Sequence, residues 1–275
     1  MNVALITARR GTPEHPDKNM FPVCGLPLIS YPIQAALKAR LVDQVYISTD
    51  APDIAAFGRA QGVEIIERPS ELTSPAVDYG DVVRHAVEVI NSRVTALENV
   101  AVMLGNSVMV DSDIIDLGIK LLDEDPKIDS CMTVWRAGHD HPNRALEIGE
   151  GGFLRPFGSP SRNVPSDREA YQPAYFSDQG TWIFRKETAQ IREGPSPWWW
   201  MGARCMPLER PWIRGRDIHT YFDIAIAEWW VRNAPKLGAI FKSDAIGAPG
   251  TTLERLEPVL HKTRDDRLDR PFSTP

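Results

Sequence analysis

Compact apolar runs alternate with stretches of helical spacing through the first half of the chain. Residues 3–7 form the first such run, and a polar loop spanning 9–19 follows at once. Ile29, Ile33, Ala36 and Leu37 give 28–40 a helical period, with Pro27 and Pro32 suited to a helix entry rather than an interior. The pattern then predicts strands at 44–48, 63–66 and 100–104. Helices are predicted at 52–62 and 78–93, the latter with Val82, Val83, Ala86, Val87 and Ile90 on one face. Asp111 reads as the cap of a further helix to about residue 122. Continuous apolar strands separated by helices imply an α/β fold, a parallel sheet covered on both faces. Ligands of such sheets bind beyond the carboxyl ends of the strands, so the loops after Thr7, Ser48 and Leu104 should share one crevice.

After an apolar run at 131–135 the character changes. Residues 138–178 are rich in Gly, Pro, Ser and Arg with little periodicity beyond 145–148, as in a functional arm or lid. Strand character returns at 181–184. A tryptophan-rich loop follows (Trp198, Trp199, Trp200, Trp212), where three adjacent tryptophans suggest a subunit contact or a pocket wall. A last helix is expected from about Tyr221 to Asn233. The expected organisation is one domain over 1–240, with the arm at 138–178 inside it, and a loosely ordered tail over 241–275. No internal repeat is present.

Composition narrows the function only a little. A net charge of −6 argues against a nucleic-acid polymer as partner, although a basic pocket inside an acidic protein could still take a nucleotide. No apolar run approaches the roughly 18–20 residues of a membrane span, and the first residues do not read as a secretory signal. Three scattered cysteines (Cys24, Cys131, Cys205) give neither a disulfide framework nor a metal knuckle, so the cytoplasm is the expected compartment.

The loop after the first run, Ala8-Arg9-Arg10-Gly11-Thr12-Pro13-Glu14-His15-Pro16-Asp17-Lys18-Asn19, carries the candidate chemistry. A triphosphate packs several charges into a small volume, and backbone N–H groups with cations at both ends hold it well. Arg9 and Lys18 frame the loop in that way, and Thr12 offers a hydroxyl. An ordinary basic surface loop is the other reading. It is neither a Walker loop nor a dinucleotide fingerprint.

Four blocks here resemble the CMP-sugar-acid synthetase (acylneuraminate cytidylyltransferase) family. Its opening Ala-Arg-x-x-Ser-Lys-x-x-x-x-Lys-Asn loop is matched at Ala8, Arg9, Thr12 (for Ser), Lys18 and Asn19. The blocks Gly25-Leu26-Pro27-Leu28-Ile29, Ser48-Thr49-Asp50 and Arg68-Pro69-Ser70-Glu71-Leu72 follow in the family's order, and the resemblance runs over about residues 1–235. It implies a Rossmann-like, mostly parallel sheet of the nucleotide-diphospho-sugar transferase type, with an extended arm exchanged in a homodimer. It also implies CTP as substrate, with Arg9, Thr12 and Lys18 on the phosphates and Asn19 and Arg68 against the cytidine. For Arg68 a helix–loop salt bridge is the competing reading.

The family's metal-binding Asp-x-Asp-x-x-x-Asp stretch reads Asp217-Ile218-His219-Thr220-Tyr221-Phe222-Asp223 here. Asp217 and Asp223 are the expected metal residues, for Mg²⁺ with Mn²⁺ as the alternative. His219 replaces the middle aspartate. It leaves three options: one carboxylate plus CTP oxygens around the ion, His219 as a base for the acceptor, or weakened activity. Asp223 has a second reading as the cap of the last helix. Pro13 also replaces a lysine, and the block Leu104-Gly105-Asn106-Ser107-Val108 departs from the sialic-acid enzymes, which points to another acceptor. Asn106 either bonds that acceptor or closes the turn. His141-Pro142-Asn143-Arg144 resembles the family's His-Pro-x-Lys, Arg168 lies near an arm arginine, and Gln179-Gly180 stands at an Asn-Gly pair. Arg144 and Arg168 are the candidates for gripping an acid group, or else solvated loop charge. The catalytic candidates are thus Arg9, Lys18, Asp217 and His219. The expected reaction is CMP transfer from CTP to a small acidic acceptor such as a 2-keto sugar acid. A phosphonate acceptor and a non-catalytic nucleotide-binding homologue are the alternatives.

Overall fold

The computed structural model describes residues 1–11, 18–138, 140–158, 167, 170–215 and 217–241, with side chains described as far as 233. Thr12, Pro13, Arg168 and the tail from 242 lie outside the described residues.

In chain order the strands and helices are β1 (Asn2–Thr7), β2 (Pro22–Val23), β3 (Leu26–Pro27), α1 (Ser30–Lys38), β4 (Gln44–Thr49), α2 (Pro52–Ala60), β5 (Glu64–Glu67), α3 (Tyr79–Arg93), β6 (Asn99–Leu104), α4 (Ser112–Glu124), β7 (Ser130–Arg136), β8 (Leu146–Ile148), β9 (Leu154–Pro156), β10 (Tyr175–Arg185), β11 (Cys205–Glu209) and α5 (Tyr221–Phe241). Seven strands form one sheet in the order β11-β7-β10-β6-β1-β4-β5. Every pairing is parallel except those of β10, which runs against both β6 and β7. The α/β expectation therefore holds, with helices on both faces.

The period of two along β1 shows why both faces need cover. Ala4 and Ile6 enter the core with Ile33, Ile54, Ile115 and Ile119, which lie on α1, α2 and α4. Val3 and Leu5 enter the opposite core with Val83, Ile90 and Trp200. A third cluster joins Val23, Leu28, Val108 and Met109 to Ile218, Ala227 and Trp230, and so docks α5 beside the strand ends. Helix starts follow the capping expectations. Asp78 accepts from Gly80 N at the head of α3, and Asp111 accepts from Ile114 N at the head of α4.

Three differences from the sequence pattern stand out. The arm is not structureless: β8 and β9 pair as a hairpin, and β10 already begins at Tyr175. β11 is an added edge strand, parallel to β7. Trp200 is no subunit contact, because it is fully buried against Tyr79, Trp182 and Phe184. Its neighbour Trp199 donates Nε1–H to both oxygens of Asp78 and packs under the Arg192 guanidinium at 3.9 Å.

Candidate active site

β1 stays bonded to its neighbours for one residue past its end: Ala8 N donates to Ser48 O at 3.1 Å and Gly105 N to Thr7 O at 3.0 Å. The loops after β1, β4 and β6 therefore leave from a single point, as the strand-end rule requires. A Cβ on Gly105 would come within 2.8 Å of the Ala8 Cβ and 2.9 Å of Asn19 Oδ1, so only glycine allows this approach. Beyond the loops opens a cleft of about 940 Å³, within the size range of small-ligand sites.

Arg9, Lys18 and Arg68 line this cleft, and no carboxylate does among the described residues. Asn19 donates Nδ2–H to Arg9 O at 2.8 Å, which ties the last residue of the 9–19 loop to the first. Arg9 is steadied by donation to Thr73 O at 3.2 Å. Arg68 is buried and donates to Ser48 Oγ at 3.2 Å and Ser48 O at 2.8 Å, so it is pinned to the end of β4 and not spent on a helix–loop salt bridge. Burial pushes the Lys18 ammonium and the Arg68 guanidinium down from their usual pKa ranges; for Lys18 the nearby Asp217 opposes that effect. A buried and a half-buried cation at one cleft are stabilised by a bound polyanion.

Two floor residues escaped the sequence reading. Tyr79 OH and Thr7 Oγ1 lie 2.8 Å apart, and burial pushes the phenol up to about 12. Both line the cleft. The available signal was the position of Tyr79, directly after the Asp78 cap at a helix start facing the strand ends.

The opposite wall comes from the segment before α5. His219 Nε2 lies 2.7 Å from Asp217 Oδ2, and His219 Nδ1 lies 3.3 Å from Lys18 Nζ. With Lys18 as an ammonium donor, Nδ1 accepts and Nε2–H donates to the carboxylate. Asn106 donates Nδ2–H to Ile218 O at 3.0 Å and to Asp217 Oδ2 at 3.3 Å, so its amide braces this wall. Asp217 Oδ1 receives no hydrogen bond among the described residues. Asp223 sits in a capping box: its Oδ2 accepts from Thr220 N at 2.8 Å and His219 N at 3.1 Å, while Asp223 N donates to Thr220 Oγ1. Among the described residues no group of three His, Cys, Asp or Glu is placed to hold a metal ion. One carboxylate with phosphate oxygens suits Mg²⁺, which commonly takes one or two protein ligands beside a nucleotide.

Of the acceptor-side candidates Asn106 lines the cleft, whereas Arg144 and Gln179 are not gathered here. Arg144 is exposed in a short turn capped by His141, and Gln179, with φ +58°, uses its carbonyl to accept from Ser107 Oγ. Neither lines the cleft.

The fold is of the α/β type, a mostly parallel sheet with a cation-lined cleft at its strand ends, a place suited to an anionic ligand. The chain belongs to the cytidylyltransferase family, whose model matches residues 3–143. Low identities make it a divergent member. It is 27% identical over 135 residues (49% of this chain, 31% of the relative) to the N-acylneuraminate cytidylyltransferase of Escherichia coli O18:K1:H7. It is 28% identical over 146 residues (53% of each) to the 3-deoxy-manno-octulosonate cytidylyltransferase of Bdellovibrio bacteriovorus. The chain thus spans about half the length, or less, of these curated relatives. In fold it is similar to CMP:2-keto-3-deoxy-manno-octonic acid synthetase solved with CTP, with a TM-score of 0.61, 16% identity and coverage of 85% of this chain and 99% of the other. A cytidylyltransferase from Leptospira borgpetersenii gives a TM-score of 0.54 at 14% identity, with 99% of both chains covered. Among the described residues no helix is long and apolar enough to cross a membrane.

Proposed function

We propose that the protein transfers CMP from CTP to a small acidic acceptor, a 2-keto sugar acid, and releases pyrophosphate. The observation that carries this reading is the cleft itself: three cations line it, and His219, bonded to Asp217 just behind the lining, faces Lys18. The acceptor hydroxyl attacks the α-phosphorus, the bond from that phosphorus to the bridging oxygen breaks, and the β,γ-phosphates leave together. Arg9 and Lys18 stabilise the negative charge that grows on the phosphoryl and leaving oxygens, with little rearrangement at the moment of reaction. Arg68, Asn19 and the Thr7–Tyr79 pair form the floor on which the nucleoside rests.

Asp217 would hold Mg²⁺ through Oδ1, with CTP oxygens as the other ligands and Mn²⁺ as a substitute. The ion would supply charge neutralisation at the phosphates. Asp223, committed to its capping box through Oδ2, would serve chiefly to shape the Asp217–His219 wall. Both nitrogens of His219 are engaged. Phosphate binding by Lys18 would release Nδ1, which then accepts the proton of the acceptor hydroxyl.

A homodimer fits the arm, where Ile148 (76% exposed) and Phe153 (77%) face solvent in the isolated chain. Exchange of the arm would bring Arg144 to the partner's cleft, to bind the acceptor's acid group. The altered 104–108 block is consistent with a second acceptor class, another small acid such as a phosphonate. Pyrophosphate release from CTP should be measured with a panel of 2-keto sugar acids and phosphonates, in Mg²⁺ or Mn²⁺. Release with one acid is expected; CTP binding without release from any acid would overturn the enzymatic reading.

A further inference from the structure

Asp217 and His219 sit on neither a strand nor a helix, but on a strap between β11 and α5. A reactive carboxylate needs its position fixed to a fraction of an ångström, and a loop does not provide that by itself. Ile218 N donates to Asn106 O at 3.1 Å and the Asn106 amide donates back to Ile218 O, which joins the strap to the loop after β6. Two arginines at the start of the strap hold the same loop. Arg210 donates Nη1–H to Met109 O at 2.9 Å, and its Nε and Nη2 meet Asp178 Oδ2 at 2.7 and 2.6 Å. Arg214 donates Nη1–H to Asp111 Oδ2 at 2.6 Å and lies 5.0 Å above the Trp230 ring of α5.

The first of these pairs is fully desolvated, with Arg210 4% and Asp178 1% exposed. Asp178 Oδ1 also accepts from Gly180 N and from the Thr133 hydroxyl, so the bend at Gln179 is locked to the strap. A Cβ at Gly180 would stand 2.0 Å from Arg210 Nη2, which excludes larger residues there. Ser107 Oγ, one residue past Asn106, closes the circuit by donating to Gln179 O at 3.2 Å. Buried ion pairs are poor sources of net stability, whereas a fork with fixed donors defines position well.

We infer that Arg210 and Arg214 are positioning residues, which clamp the strap to the loop after β6 and thereby set Asp217 and His219 against Lys18. The inference rests on Asp217 being the reactive carboxylate of the proposed transfer. Arg210 variants leave Asp178 buried and unpaired, so the more exposed clamp gives the cleaner test. Asp111→Asn keeps the α4 cap, because asparagine caps as well as aspartate.

In the full chain, Arg214→Met and Asp111→Asn should each lower kcat by ~10-fold or more, the scale of a small misplacement. KM for CTP should stay within about two-fold, and hydrogen exchange at Ile218–Thr220 should quicken. Because both changes open one clamp, the double variant should be no worse than the more damaging single one. Arg214→Lys should recover part of kcat. Multiplying losses in the double variant, or exchange at Ile218–Thr220 unchanged in both singles, would overturn the clamp. If the wild type forms no product with any acid, the transfer reading fails by itself, and the exchange measurement still decides whether the strap is held as inferred.

Discussion

The two walls of the cleft are built in opposite ways. The cation-lined wall is strand-end architecture: Arg9, Lys18, Asn19 and Arg68 all lie within one loop of a parallel strand, with Arg68 held on Ser48 20 residues away and Arg9 on Thr73 64 residues away. The strap wall is assembled from distant segments, with Asn106 reaching Ile218 across 112 residues and Arg210 reaching Met109 across 101. The first wall follows from where strands end. The second exists only after the chain has closed on itself, so its precision depends on buried charge and not on regular structure.

The sharpest way to break the comparison is Asp217→Ala. It should reduce turnover by on the order of 10³-fold or more, the upper range for removing one preorganised electrostatic group, while leaving CTP binding and the thermal midpoint near wild type. Near-normal turnover would remove Asp217 from the reaction. Arg68→Met acts on the other wall. Loss of a charged donor should raise the CTP dissociation constant by roughly 10–100-fold with KM for the acceptor unchanged, as read by calorimetry and steady-state kinetics. Equal effects on both substrates would show that the walls do not divide the work.

Arg144→Ala should raise KM for the acceptor by about ten-fold, one lost charge-assisted contact, and leave CTP binding alone. An unchanged acceptor KM would return Arg144 to the solvated surface. The smallest effect is expected from Tyr79→Phe, about 1 kcal/mol for the lost bond to Thr7, measured by denaturant unfolding. The same variant has a pH signature. The folded phenol is raised from 10.0 to about 12, so its stabilising contribution is complete below pH 10 and is lost as pH climbs towards 12. Wild-type stability should therefore fall across that window by up to about 2–3 kcal/mol more than that of the phenylalanine variant.

The same division explains how much could be foreseen. β1, β4, β6 and the meeting of their following loops were legible because apolar runs, helix caps and strand-end geometry are local signals. Asp223 as a cap was legible too, since Thr220 stands three residues before it. β11 was not: Cys-Met-Pro-Leu-Glu has no β-branched residue, and its Pro207 is tolerated only because the strand lies at the sheet's edge, paired with β7 alone. The β8–β9 hairpin is short and exposed, so it lacks the alternation a buried face imposes. Trp200 was misjudged as an interface because composition cannot tell a core tryptophan from a contact one. The Arg210–Asp178 pair left no mark at all, since neither residue announces a partner 32 positions away.

The reversal of β10 within an otherwise parallel sheet has a consequence for how such a protein can change over generations. β7 ends, and β10 begins, at the same edge from which the cleft opens. An insertion between them departs and re-enters without crossing a face of the sheet or shifting any strand against its neighbour. The arm is in effect a replaceable cartridge. Changes in its length or residues need not move the cation-lined wall, which leaves one half of the molecule free to vary while the other keeps its geometry.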